Sequence, residues 1–324
     1  MTENLKPKDG VLPLIKRGQE IIDRLRGTAA ETKRSKSSMP RIGVALGGGS
    51  ARGLTHIPFI EAMDELGLTP SVIAGTSIGA LIGAGWASGL SGAELREHSY
   101  SVLGTMRIIA GRLWGAQVRR IGDLLSNALS MQLDATRVVD AFLPESFPRA
   151  FKDLKHPFYV VATDFQSWHQ VVFSEGELRQ AIAGSIAIPG LFRPVDFGNH
   201  LLVDGGVVNP LPLDQASDCD ILVGIDVNGD PSEVIKRTTH SPMDVWFGSA
   251  QIMMHSLTAH MMAAYPPDVY IRPHVMPFGA MEFWRVREII AHVEKDKDNF
   301  KRALEHKVEA FLRHAEPTMR AEER

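Results

Sequence analysis

The sequence predicts an α/β protein built on a mainly parallel sheet, and three observations predict it. First, the apolar run Ile42-Gly43-Val44-Ala45-Leu46 is followed by a helical stretch and a second apolar run ending near Ala74. Strand, helix, strand at that spacing is a parallel crossover unit, right-handed by the usual rule. Second, further short apolar runs, Leu201-Leu202-Val203 and Ile221 to Val227, alternate with helix-period stretches such as Met243 to Tyr265. Such alternation is the signature of layered α/β folds. Third, Val72 to Ile82 reads as strand, strained turn and helix, with Ser77 at the apex of Gly75-Thr76-Ser77-Ile78-Gly79.

Taken in order, residues 1–40 form a basic extension and linker, with nine Lys or Arg against five Asp or Glu. Val11, Leu14, Ile15, Ile21, Ile22 and Leu25 recur there at helical spacing, which suits packing on the main domain or on a second copy of the chain, or lying on an anionic bilayer. The compact domain is expected to open at Arg41. Its first helix runs from the glycine-rich turn to about Leu66, with Pro58 in the first turns, where a lost amide costs least. Residues 90–147 read as a helical insertion that could act as a lid. Pro157 to Asp164 and Gln170 to Phe173 read as a strand pair, Glu177 to Ala183 as a helix and Val269-Tyr270-Ile271 as a last strand. Residues 276–324 are read as C-terminal helices.

The formal net charge of −3 argues against a nucleic-acid partner, which calls for a strong basic excess. The single cysteine, Cys219, rules out an internal disulfide and reads as a small buried hydrophobe. No stretch has the ~18 uninterrupted apolar residues of a membrane span, and the N-terminus lacks the apolar run of a secretory signal. The expected location is the cytoplasm, with peripheral contact at the inner membrane surface left open.

A serine hydroxyl needs a base to take its proton and amides to hold the oxyanion that forms on attack. Gly47-Gly48-Gly49-Ser50-Ala51-Arg52-Gly53, after the first strand, can offer such amides, because residues 47–49 have no Cβ to block a substrate. Loops at the carboxyl ends of parallel strands meet in one crevice, so this turn and Ser77 belong together. A dinucleotide fingerprint fails on spacing, since Arg52 stands where its last glycine belongs, and the Gly-Lys-Ser/Thr of a P-loop is absent. The base candidate is Asp204, at the end of an apolar strand and followed by Gly205 and Gly206. An ordinary turn aspartate has the same local pattern. A later histidine would make an α/β-hydrolase triad; His255, His260 and His274 are the candidates. No histidine spacing suits a metal, and no cofactor is expected.

Together these segments resemble the patatin-like phospholipase family, and the resemblance covers about residues 41–275, which it implies are the catalytic domain. The blocks that carry the resemblance are Gly47–Gly53, Gly75–Gly79, Asp204-Gly205-Gly206 and Gly184-Ser185-Ile186-Ala187-Ile188-Pro189-Gly190-Leu191-Phe192-Arg193-Pro194-Val195. Compact bacterial members, similar to the catalytic domain of neuropathy target esterase, resemble it most. The resemblance implies a three-layer α/β/α fold with a Ser–Asp dyad at the strand carboxyl ends and no histidine. Ser77 would be the nucleophile and Asp204 the proton acceptor. Amides at Gly48, Gly49 and Ser50 would form the oxyanion hole, with Gly47, Arg52, Gly53, Gly75, Gly79, Gly205 and Gly206 supporting the motifs. Ser50 stands at a position often held by glycine. Arg52 either steers an anionic head group or braces its own loop.

The expected activity is a serine lipid acyl hydrolase acting on phospholipid, lysophospholipid or related acyl esters through an acyl-enzyme. Alternatives are an acyltransferase with the same dyad and a weakly active lipid-binding regulatory module. An acyl channel is sought around Ile108, Ile109, Leu113, Trp114, Leu124 and Leu125, or at Met253, Met254, Met261 and Met262, which also suit plain core.

Overall fold

The computed structural model describes residues 39–117, 132–230 and 242–322, and Pro40–Arg324 forms one compact unit. The expected amphipathic segment within 1–38 and the channel candidates Leu124 and Leu125 lie outside the described residues, so the proposed lid is described only in part. Strand β1 (Ile42–Leu46) leads through a 3-10 turn (Ser50–Thr55) into helix α1 (His56–Glu65). Strand β2 (Val72–Thr76) ends at Ser77, and α2 (Ile78–Ala87) starts at once. Helices α3 (Gly92–Gln117) and α4 (Ala135–Phe142) fill much of the predicted helical stretch. Then come β3 (Phe158–Asp164), β4 (His169–Phe173), α5 (Leu178–Ser185), β5 (Val195–Phe197) and β6 (His200–Asp204). The chain ends with the short helix α6 (Leu213–Ala216), β7 (Ile221–Ile225), α7 (Pro242–Ala264), β8 (Val269–Ile271), α8 (Val286–His292) and α9 (Lys297–Glu322).

The strands form one sheet in the order β5-β6-β3-β2-β1-β7-β8, with β4 on β3. Pairings among β3, β2, β1, β7 and β8 are all parallel, and those of β4, β5 and β6 are antiparallel. Alternate residues of the central strands feed two separate cores. Val44, Leu46, Ile73 and Val223 join the larger one with α1, α2, α5 and α9, while Ala45, Ala74 and Leu222 join a smaller one with Leu213 and Ala216 of α6. Period-two alternation into two dry faces is what a sheet covered on both sides requires, and it makes the three layers. Gly43 allows α6 to lie against β1, since a Cβ there would sit 2.1 Å from the Ala216 carbonyl oxygen. The strand Val195–Phe197 was not expected. Unlike Val269-Tyr270-Ile271, it has a charged residue, Asp196, between its only two apolar ones and lies between Pro194 and Gly198, so it reads as loop.

One register detail positions the site. Val161 of β3 pairs with both Thr76 and Val172, and Ala162 pairs with both Asp204 and Val171. Strand β4 therefore takes one edge of β3, while β2 and β6 share the other. They run toward each other and stop end to end, with Thr76 and Asp204 opposite consecutive residues of β3. The residue after Thr76 must leave the sheet because Asp204 occupies its place.

Candidate active site

Ser77 makes that exit. It is 5% exposed and adopts φ 56°, ψ −122°, a conformation that costs a non-glycine residue on the order of 1–3 kcal/mol. The strain turns its side chain toward the end of β6. Its Oγ–H donates to Oδ2 of Asp204 at 2.5 Å, so two residues 127 apart in sequence are in direct contact. The sharp turn needs Gly79 behind it, because a Cβ there would lie 2.1 Å from the Leu46 carbonyl oxygen. Gly53, Gly75 and Gly205 likewise sit where Ile78, the Gly79–Ala80 backbone and the Val161 carbonyl come close.

Asp204 is nearly as buried, at 7% exposed. Its Oδ1 accepts the Gly206 amide at 2.7 Å, and its backbone carbonyl accepts the Thr163 hydroxyl at 2.9 Å. Burial pushes the carboxyl up to about 6, against the smaller opposing pull of the bonds from Ser77 and Gly206. A free aspartate near 3.9 is a feeble base toward an alcohol, and desolvation brings this one closer to a useful range. The partner of Ser77 is thus a carboxylate. Of the triad candidates, His260 is occupied with the Ser256 carbonyl at 2.7 Å, and His274 stacks on His292 at 5.6 Å between ring centres.

The glycine loop packs beside Ser77. A Cβ on Gly48 would approach the Ser77 Cβ to 3.3 Å, which puts bare backbone against Ser77. The amides of Gly47 and Gly48 donate to the carbonyls of Ile225 and Pro210 at 3.0 and 2.8 Å. This corrects the expectation that Gly48 contributes to the oxyanion hole, because its N–H is committed elsewhere. Ala51 and Arg52 are engaged too, with Ala280 and Gly49. Among the described residues, the amides of Gly49 and Ser50 have no acceptor. Ser50 has φ 54°, in the left-handed region, which gives a reason why glycine suits that position.

Arg52 is a brace. Its Nε donates to the Phe278 carbonyl at 2.8 Å and its Nη1 to that of Asn228 at 3.2 Å, and burial lowers its pKa. A supporting residue missed from sequence is His56, fully buried, whose Nε2 lies 2.8 Å from the Gly47 carbonyl oxygen. Burial holds it down at about 4, so the ring is neutral and Nε2–H is the donor. Its position three residues after Gly53 was the only signal. The methionines divide. Met261 and Met262 pack on the smaller core, Met253 is 61% exposed, and Met254 reaches the site, its Cε 3.5 Å from where a Gly48 Cβ would be. No group of His, Cys, Asp and Glu among the described residues is arranged to hold a metal.

Comparison with known proteins adds the following. A family model described as patatin-like phospholipase matches residues 44–217. An NTE family protein of Mycobacterium bovis, itself uncharacterized, is 35% identical over 199 residues, 60% of this chain and 51% of that protein. Lysophospholipase NTE1 of Kluyveromyces lactis is 26% identical over 272 residues, 76% of this chain and 18% of that protein. The chain therefore spans about half the length, or less, of these curated relatives. Among solved structures, VipD from Legionella pneumophila superposes with a TM-score of 0.41 and 14% identity, over 82% of this chain and 68% of that one. The family match takes in the glycine loop, the Ser77 turn and Asp204, and it extends over more than half of the sequence: the chain belongs to the patatin-like phospholipase family.

Proposed function

We propose that the protein is a serine lipid acyl hydrolase that works through a Ser77–Asp204 dyad. The observation that carries this is the 2.5 Å contact between the Ser77 hydroxyl and a buried carboxylate, beside a backbone loop with two uncommitted amides. Ser77 Oγ attacks the ester carbonyl carbon as Asp204 takes its proton. The amides of Gly49 and Ser50 receive the oxyanion, each such donor being worth roughly 100- to 1000-fold in rate. Asp204 returns the proton to the departing alcohol, leaving an acyl-Ser77 ester. Water then attacks that ester, giving its proton to Asp204, and the fatty acid leaves as Ser77 regains a proton. No metal or cofactor enters the scheme.

The substrate class is phospholipid, lysophospholipid or a related acyl ester. Its support is the family and the exposed apolar side chains of the helix that reaches the site. Helix α7, which brings Met254 to the dyad, also exposes Val245, Trp246, Ile252 and Met253, and Val207 is exposed just beyond Gly206. Such a surface suits peripheral contact with the lipid aggregate that holds the substrate. No helix among the described residues is long and apolar enough to cross a membrane. A lipid panel assayed with wild type, Ser77→Ala and Asp204→Ala tests the reading. Fatty acid release by wild type alone supports it, and release by Ser77→Ala overturns it. Adding a glycerol-type acceptor separates hydrolysis from acyl transfer by product. Lipid binding without fluorophosphonate labelling of Ser77 would indicate a regulatory module.

A further inference from the structure

Ser185 has no part in the chemistry above, yet it touches the nucleophile's backbone. It ends α5 and is fully buried. Its Oγ accepts the Ser77 N–H at 2.8 Å and donates to the Val161 carbonyl at 2.6 Å. Two residues later, the Ala187 carbonyl accepts the Asp204 N–H at 2.9 Å. The end of α5 therefore holds the main chain of both reactive residues. Thr76 is the last residue of β2 paired with β3, opposite Val161. Where β2 leaves the sheet, the Ser185 hydroxyl bridges the Val161 carbonyl and the Ser77 N–H. A hydroxyl can do this because it donates and accepts at once.

We propose that Ser185 is a positioning residue: it pins the strained Ser77 turn through the backbone N–H and so keeps Oγ within bonding distance of Asp204. This rests on the Ser77–Asp204 reading. Without the Ser185 hydroxyl, a buried N–H and a buried carbonyl lose their partner together, and the turn can relax toward ordinary backbone angles. The pinning also commits the Ser77 N–H, so that amide is not offered to the oxyanion.

The test compares Ser185→Ala, Ser185→Cys and Ser185→Thr with wild type. The readouts are thermal midpoint, kcat and KM on a soluble short-chain ester, and the rate of Ser77 labelling by a fluorophosphonate, with the labelled residue confirmed by mass spectrometry. Displacing a reactive group by about 1 Å can cost on the order of 100-fold, so Ser185→Ala should lower kcat and labelling rate roughly 10- to 100-fold with KM nearly unchanged. Threonine, which keeps the hydroxyl, should recover most of the rate, with cysteine between. If labelling rate and kcat do not depend on residue 185 among folded variants while the thermal midpoint does, Ser185 is structural only and the proposal falls. Wild type labelled elsewhere than Ser77 would overturn the dyad itself, and the proposal with it.

Discussion

The parallel half of the sheet and its antiparallel flank are built differently. Strands β1 and β7 are buried along their whole length, and helices or the smaller core cover both faces. Strands β4 and β5 are only half-buried or exposed, and β6 becomes buried only toward Asp204. The parallel half holds the nucleophile in a turn so crowded that only glycine fits behind it. The flank brings the acid in from the opposite direction. Each half contributes one member of the proposed pair. The comparison teaches that the proposed dyad sits at the seam between rigid packing and a more exposed hairpin-like extension.

The largest effect that tests this division is chemical. Asp204→Asn keeps an acceptor for the Gly206 amide but removes the base, and kcat should fall on the order of 100- to 10,000-fold. A variant with kcat within tenfold of wild type would mean that the flank supplies no base. Next comes packing in the parallel half. Gly79→Ala places a methyl 2.1 Å from the Leu46 carbonyl oxygen, an overlap that only a backbone shift relieves. We expect a loss of about 3 kcal/mol, read as a fall in denaturant midpoint, and an unchanged midpoint would contradict the close approach.

A smaller effect concerns pH. The raised Asp204 carboxyl should give kcat/KM an acid limb near pH 6, falling tenfold per unit below it; a limb near 4 would show that burial does not reach the base. The same shift bears on stability. Between about 4 and 6 the folded protein holds a proton that the unfolded chain has released, so this group's contribution falls as pH rises through that window. Asp204→Asn should therefore gain thermal midpoint relative to wild type at pH 7 and not at pH 4. The smallest effect is at the surface. Ile252→Ser with Met253→Ser should slow hydrolysis of vesicle lipid about 5-fold or more and leave a soluble short-chain ester unaffected. Equal losses on both substrates would remove α7 from lipid contact.

Legibility in the sequence follows the same division. The parallel strands were readable because strands buried on both faces are continuous apolar runs, and the Ser77 turn was readable because close approach forces glycine at Gly75 and Gly79. Asp204 stood out through the glycines behind it. Strand β5 did not, and neither did the end-to-end meeting of β2 and β6, which is a matter of register between segments 38 or more positions apart and leaves no local pattern. The commitment of the Gly48 amide to Pro210 and the role of Ser185 depend on single hydrogen bonds between distant segments. Arg52 was visible as a charge, but only its bonds to Phe278 and Asn228 decide that it braces the loop.

The abutting ends of β2 and β6 also bear on biosynthesis. A ribosome delivers Ser77 long before Asp204, and until β6 emerges the nascent polypeptide carries an alcohol with no carboxylate to activate it. On the proposed dyad, fragments released by premature termination upstream of β6 should be inert toward lipid esters, with competence arriving only once most of the domain has been translated.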